Sequence, residues 1–454
     1  MSDEPRTDRG LDKTEPSRRG FLTVIAAGVG ASLETRARRA AAQTPAPASK
    51  GEVVVRVHAP AGNQGDIVEQ RAKEFAEENR GIKMKLELFP TNEYVTKVQT
   101  LVAGKQLGDV LWSFSVSTYR AWAARGVLAP LDDYIKTDKY DPNQFYKNGW
   151  DGQIVNGKHY GITYKAHPGS SLLYYNKDMF AAAGLKEPTD DMTWDQLVDA
   201  AGKLTKSGAY GYFTPLNHPH HHLFMTRVYG GQIISPDGKT ALFNSPESLQ
   251  ALQFDYDLVN VRKIAPPMKD VPSNPRDVFV NGNTAMYKAG TWDLSVGKVI
   301  KDKFKWSVVL APRGPKGNRG AMFGQDYMSV AATSKIKTEA WQVVKALCDR
   351  RTGILLGLGG TPGGGNSGTA GGRPDVYESE ELRNNPDYTP EVHATRVRSL
   401  KETTLINFPA NHRIAEVLSV VTNAMEQMWS GTKPDKAWAD TVNANMQAVL
   451  DKPA

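Results

Sequence analysis

The 52 residues from Asn156 to Ser207 constrain the fold more than any other stretch: NGKHYGITYKAHPGSSLLYYNKDMFAAAGLKEPTDDMTWDQLVDAAGKLTKS. Asn156-Gly157 is the dipeptide that a type I′ hairpin turn demands, because both of its central residues need positive φ. It separates two strand-like runs, Asp151–Val155 and His159–Tyr164. The apolar run Leu172–Tyr175 reads as a buried strand. A short helix over Lys177–Ala183 is stopped by Gly184, and Thr193 with Gln196 three residues on forms a capping box for a helix over Trp194–Lys206. A further strand follows at Tyr210–Thr214. Strands interleaved with helices in this order predict an α/β layer fold.

The N-terminus reads as an address rather than as structure. Ser17-Arg18-Arg19-Gly20-Phe21-Leu22 resembles a twin-arginine signature. The apolar run behind it, Phe21–Leu33, has 13 residues, against about 20 for a membrane-spanning helix. Arg36, Arg38 and Arg39 follow, then Ala40-Ala41-Ala42 as a cleavage site, so residues 1–42 are expected to be an export signal and 43–50 a linker. That signal holds eight basic and six acidic residues, so the chain's net charge of +7 falls to +5 in the expected mature protein. The positive charges are scattered, and nucleic acid is not an expected partner. No later run approaches 18 apolar residues, which predicts a soluble mature protein. One cysteine, Cys348, rules out an internal disulfide and a cysteine-based zinc site.

About 400 residues remain, more than one ordinary core. Val53–Val57, Lys83–Phe89 and Asp109–Trp112 read as strands, alternating with helices over Asp66–Asn79 and Tyr94–Ala103 and followed by one over Thr118–Ala124. Further on come Phe279–Lys288 and Trp306–Leu310 as strands, then Asp326–Ala332, a helix over Thr338–Arg350, the glycine-rich 357–372, and two closing helices, Ile414–Trp429 and Asp435–Leu450. The landmarks NGKHYGI, YYNKDMFAAAGL, TWDQL, FVNGNTAM and GTW, with GDVLW and ARGVLAPLDDYI before them, occur in one order across residues 51–450. In that order they closely resemble the extracellular solute-binding proteins of bacterial ABC importers, in the branch of maltose-binding protein.

The resemblance implies a two-lobed periplasmic-binding-protein fold with several inter-lobe crossovers. Lobe 1 would span 51–164 and 309–350, and lobe 2 would span 168–306 and 352–454. Hinges are expected near 164–168, 306–312 and 350–353. It implies a monomer without cofactor or catalysis, which closes on a sugar or sugar-like solute and delivers it to the permease subunits of an importer. A glycerol phosphate ester, polyol, polyamine or peptide is the alternative solute. An exported metal-dependent hydrolase is the alternative class.

A sugar site needs flat aromatics for ring faces and planar polar groups for hydroxyls. In open α/β sheets the loops at strand ends supply them. Asn63 and Gln64 on the first strand-to-helix loop are candidates, or simple turn residues. Trp112, Phe114 and Ser115 follow the third strand, where Trp112 is equally a core residue. His167 lies at the first crossover, either facing solute or capping backbone groups. Trp292 and Asp293 follow Gly290-Thr291 in a loop that borders the cleft in relatives. Gln325, Asp326 and Tyr327 replace residues that are small in many relatives. Asn217 and His218 open the run NHPHHHLF, in which His220, His221 and His222 tempt a metal reading. Adjacent histidines on a strand would face opposite ways, so a cleft loop is preferred. Thr361, His412 and Arg413 complete the set, by position in relatives. The glycine-rich 357–372 lacks the Gly-Lys-Ser/Thr ending of a phosphate loop.

Overall fold

Among the described residues, nine strands divide between two main sheets and two more form a hairpin. In this computed structural model residues 51–452 are described, apart from Asn92, Pro219, Met322, 360–368 and 403–412. The export signal and linker expected at 1–50 therefore lie outside the described residues, as do Thr361 and His412.

The strands, in chain order, are β1 (Val53–Pro60), β2 (Ile82–Phe89), β3 (Val110–Ser113), β4 (Ile154–Val155), β5 (Lys158–His159), β6 (Ile162–His167), β7 (Leu172–Asn176), β8 (Tyr210–Phe213), β9 (Thr284–Ala289), β10 (Trp306–Leu310) and β11 (Gly324–Val330). The first sheet runs β2-β1-β3-β11-β6 and the second β10-β7-β9-β8, with β4-β5 a separate hairpin. β1 pairs in parallel with β2 and β3, while β11 runs antiparallel to both β3 and β6. The C-terminal ends of β1, β3 and β6 therefore share one edge with the start of β11. In the second sheet β8 and β9 are parallel and β7 is antiparallel to β9, so the loops after β8 and β9 leave from a common edge.

Local chemistry builds these elements as expected at several points. Asn156 and Gly157 both take positive φ in the β4–β5 turn. Thr193 and Gln196 form the full reciprocal capping box of helix Trp194–Leu204. Asn176 caps the helix Lys177–Ala182, and Ser245 and Asp435 cap later ones.

Other expectations give way. Asp151 belongs to a helical turn, Lys147–Gly152, which leaves only a two-residue strand before the hairpin. Phe279 and Val280 close a helical turn, Asp277–Val280, and the strand begins at Thr284. An apolar run this short does not separate helix from strand. Val309 and Leu310, expected to begin the return to lobe 1, stay in the second sheet: β10 pairs along its whole length with β7, and the crossing follows it. The segment after Arg350, expected with the second lobe, packs first against the first sheet. Its helix Arg350–Leu358 lies on helix Asn63–Glu78 and β6. Arg351 pairs with Glu74 at 2.7 Å, and Ala370 bridges to Ala166. Helix Pro390–Lys401 then packs on β10 of the second sheet. One core of buried aliphatic and aromatic side chains runs through both sheets. A small satellite surrounds Ala166, Ile354, Val376 and Tyr377. Among the described residues no helix is long and apolar enough to cross a membrane.

Candidate functional site

The facing strand ends of the two sheets meet in a ring contact. His167, the last residue of β6, stands edge-on to Trp292 from the loop after β9, with centroids 5.1 Å apart and planes at 87°. His218, from the loop after β8, lies parallel to the same indole at 5.8 Å and 7°. Trp292, His167 and His218 are all half-buried. Two glycines make room for these rings. A Cβ on Gly290 would fall 2.2 Å from the Trp292 ring, and one on Gly324 would fall 2.4 Å from the His167 ring. His167 also caps backbone, its Nδ1 accepting from the Gly169 N–H at 3.2 Å.

Burial holds these imidazoles neutral. Desolvation pushes His167 down to about 4, and it does the same to His220. His218 is lowered too, by desolvation first and then by its cationic and histidine neighbours. His218 Nδ1, like that of His167, accepts from backbone, here the His220 N–H at 3.3 Å, so each of these two neutral rings keeps its Nε2–H as a donor for a hydroxyl oxygen.

The first sheet supplies a satisfied polar wall. A register shift in β11 between Asp326 and Tyr327 re-aims the carboxylate. Asp326 accepts from Trp112 Nε1 at 3.0 Å and from the Ser115 N–H at 2.8 Å, and it pairs with Lys165 Nζ at 3.0 Å. Lys165 sits over the rings of Trp112 and Phe114, at 5.1 and 5.7 Å. Ser115 has φ 67° at the first turn of its helix, a strained position for a side chain other than glycine, and its bond to Asp326 holds it there.

Several expected contacts prove to be internal. Trp112 and Tyr327 are fully buried, and Tyr327 stacks on Tyr119 with centroids 3.9 Å apart. Gln325 is buried and spends its amide on the Gly149 carbonyl and Thr163. Asp293 is buried and accepts from the Tyr287 hydroxyl at 2.7 Å, while desolvation raises it to about 6. These side chains support the wall rather than face a solute, because their polar atoms are already committed inside the fold. Asn217, half-buried, donates to Glu426 at 3.0 Å. Arg413 precedes helix Ile414–Trp429 and pairs with Glu416 at 2.8 Å. Phe114 and Ser115 remain half-buried at the edge. Asn63 and Gln64 begin a helix rather than occupying a loop, and Gln64 Oε1 is buried without a hydrogen-bond partner.

The histidine run is not a strand. His221 opens the helix His221–Val228, and the run splits by role. His221 bonds the buried Asp255 at 2.8 Å and His222 meets Ser248 at 2.7 Å, both inside the core. Among the described residues no group of three or more His, Cys, Asp or Glu is placed to hold a metal.

Two lysines escaped the sequence analysis. Lys165 is one. Lys288, second to last in β9, is buried with no hydrogen-bond partner for Nζ among the described residues, and Nζ lies 5.7 Å over the Phe224 ring. Burial lowers it to about 8. The signal was present: a Tyr-Lys-Ala triplet falls in the last half of a mostly buried strand in both ITYKAH and TAMYKA.

Two α/β lobes whose strand ends oppose each other across aromatic and neutral polar side chains define a solute-binding protein. The sequence model of the bacterial extracellular solute-binding protein family matches residues 61–349, and the chain belongs to that family. A place outside the cytoplasm comes with that membership. A binding protein of Brucella abortus is 26% identical over 306 residues, covering 66% of this chain and 72% of that one. The arabinooligosaccharide-binding protein of Halalkalibacterium halodurans is 28% identical over 216 residues, 45% of each chain. Among solved structures, the ABC substrate-binding protein of Listeria monocytogenes in complex with cycloalternan superposes with a TM-score of 0.76 at 25% identity. It matches 88% of this chain and all of that one. The chain is a substrate-binding component of an importer.

Proposed function

We propose that the solute is a carbohydrate, held without turnover between the strand ends at Trp292, His167 and His218. The observation that carries this reading is the half-buried indole flanked by two neutral imidazoles from opposite sheets. An indole face suits the C–H face of a pyranose, and uncharged N–H donors suit hydroxyl oxygens. Contacts from both lobes would exist together only in the closed form, so solute would shift the hinge equilibrium toward closure. The oligosaccharide ligand of the Halalkalibacterium relative supports the same class. The mature protein, exported folded by the twin-arginine route as a monomer, would then dock on the membrane subunits of its importer.

A thermal-shift screen of the mature protein tests this, with mono- and oligosaccharides, polyols and glycerol phosphate esters as arms. A ligand at a hundred times its dissociation constant adds about 2.7 kcal/mol to stability. Oligosaccharides should give the largest shift, with the sugar recovered unchanged. A shift confined to polyols or phosphate esters, or release of product from the sugar, would overturn the reading.

A further inference from the structure

The crossover that follows β10 lines, with the second lobe, a half-open cavity of about 630 Å³. Neither Trp292, His167 nor His218 lines it. Three guanidiniums do, from Arg227, Arg313 and Arg319, together with the carboxylates of Glu247 and Glu402. The charges are unevenly matched. Glu402 is shared, 2.6 Å from Arg319 and 3.4 Å from Arg313. Arg319 also donates from Nη1 to the Ala311 carbonyl and from Nη2 to the Asp190 carbonyl. Glu247 faces Lys316 at 3.8 Å. Arg227, in the last turn of helix His221–Val228, makes no ion pair and no side-chain hydrogen bond among the described residues. Desolvation lowers its pKa, and no carboxylate offsets that.

We propose that this cavity is a second binding site, in which Arg227 receives the carboxylate or phosphate of a small hydroxylated molecule. A guanidinium presents a planar fork that matches either oxyanion through two parallel hydrogen bonds. The volume falls within the range for small organic ligands, about 300–1,000 Å³, and is generous for a bare inorganic ion. Gln232 and Asn318 add planar donors and acceptors for hydroxyls. The two carboxylates oppose an anion, but each already faces a cation. The plain alternative is that Arg227 only complements the negative end of its helix, which would give stability without a ligand. The site is independent of the carbohydrate reading of the cleft.

Titration calorimetry on the mature protein tests the proposal, with D-glucuronate, glycerol 3-phosphate and inorganic phosphate as probes and glucose and glycerol as uncharged controls. At least one organic anion should bind, more weakly at high salt. Arg227→Gln should lose tenfold or more in affinity, Arg227→Lys should keep part of it, and Trp292→Ala should bind the anion as the wild type does. Glu402→Gln, which leaves Arg227 in place and frees the shared guanidiniums, should tighten binding. The proposal is overturned if only inorganic phosphate binds, if no anion binds at millimolar concentration, if Arg227→Gln binds like the wild type, or if Glu402→Gln leaves affinity unchanged or weaker.

Discussion

Lys165 and Lys288 occupy equivalent places in the two lobes, each near the C-terminal end of a buried strand, yet their surroundings differ completely. Lys165 has a carboxylate at 3.0 Å and two aromatic faces, and Asp326 ties it further to Trp112 and the Ser115 backbone. Among the described residues Lys288 has an aromatic face, no hydrogen bond to Nζ, and only the Asp255 charge in its favour. A buried charge is expensive unless it is paired and hydrogen-bonded. On the proposed reading of the cleft, the first lobe would present a pre-organised wall whose hydrogen bonds are complete before solute arrives. The second lobe carries an unmet electrostatic cost close to the histidines and Trp292. A binding protein that closes on its ligand gains from such asymmetry: one wall holds its shape, and the other has something to gain from new contacts.

Breaking the satisfied wall should have the largest effect. Asp326→Asn strands the Lys165 ammonium and should lower unfolding free energy by about 3–5 kcal/mol, read by denaturant titration. A loss under about 1 kcal/mol would show that Lys165 finds water or another partner, and the contrast between the lobes would weaken. The opposite sign is expected on the other side. Lys288→Met keeps the apolar stem and removes the unpaired charge, so it should leave stability unchanged or raise it by about 1 kcal/mol. A clear loss would mean that Lys288 has a partner the contrast omits.

Acid sharpens the comparison further. His167 and His220 titrate near 4 in the fold, below the ordinary histidine value of 6.5. The unfolded chain therefore takes up protons first, and stability present above about pH 6.5 should be lost as pH falls toward 4. Asp293, raised to about 6, acts in the opposite direction over part of that window, since it favours the folded state on protonation. His222, lowered to about 3, and His393, lowered to about 4, pull the same way as His167 and His220. Asp293 therefore offsets only a fraction, the fall in melting temperature between pH 6.5 and 4 should be large, and His220→Gln should reduce it in part. An acid limb identical in His220→Gln would remove that histidine from the account.

Much of the fold was legible because its signals are local. The Asn-Gly turn, the Thr193–Gln196 box and the closing helix Ile414–Trp429 each depend on residues a few positions apart, and they stand where sequence placed them. The histidine run failed for the same reason in reverse. Its residue types carry no clear periodicity, and the packing of His221 on Asp255 and His222 on Ser248 decides for helix. The site was legible as a set of loops but not as roles. Trp292 and His167 emerge as neighbours. Trp112, Gln325 and Tyr327 turn inward because their partners lie more than a hundred residues away or in a neighbouring strand. The Lys165–Asp326 pair spans 161 positions, and the cavity around Arg227 draws on segments as far apart as residues 227 and 402. No local pattern encodes either.

The most direct test of the account is calorimetric titration of the mature protein and of Trp292→Ala with the oligosaccharide that stabilises the wild type most. The account predicts a loss of at least about 2 kcal/mol of binding free energy, roughly thirtyfold in affinity, with the unliganded melting temperature little changed. Wild-type affinity in Trp292→Ala would contradict it.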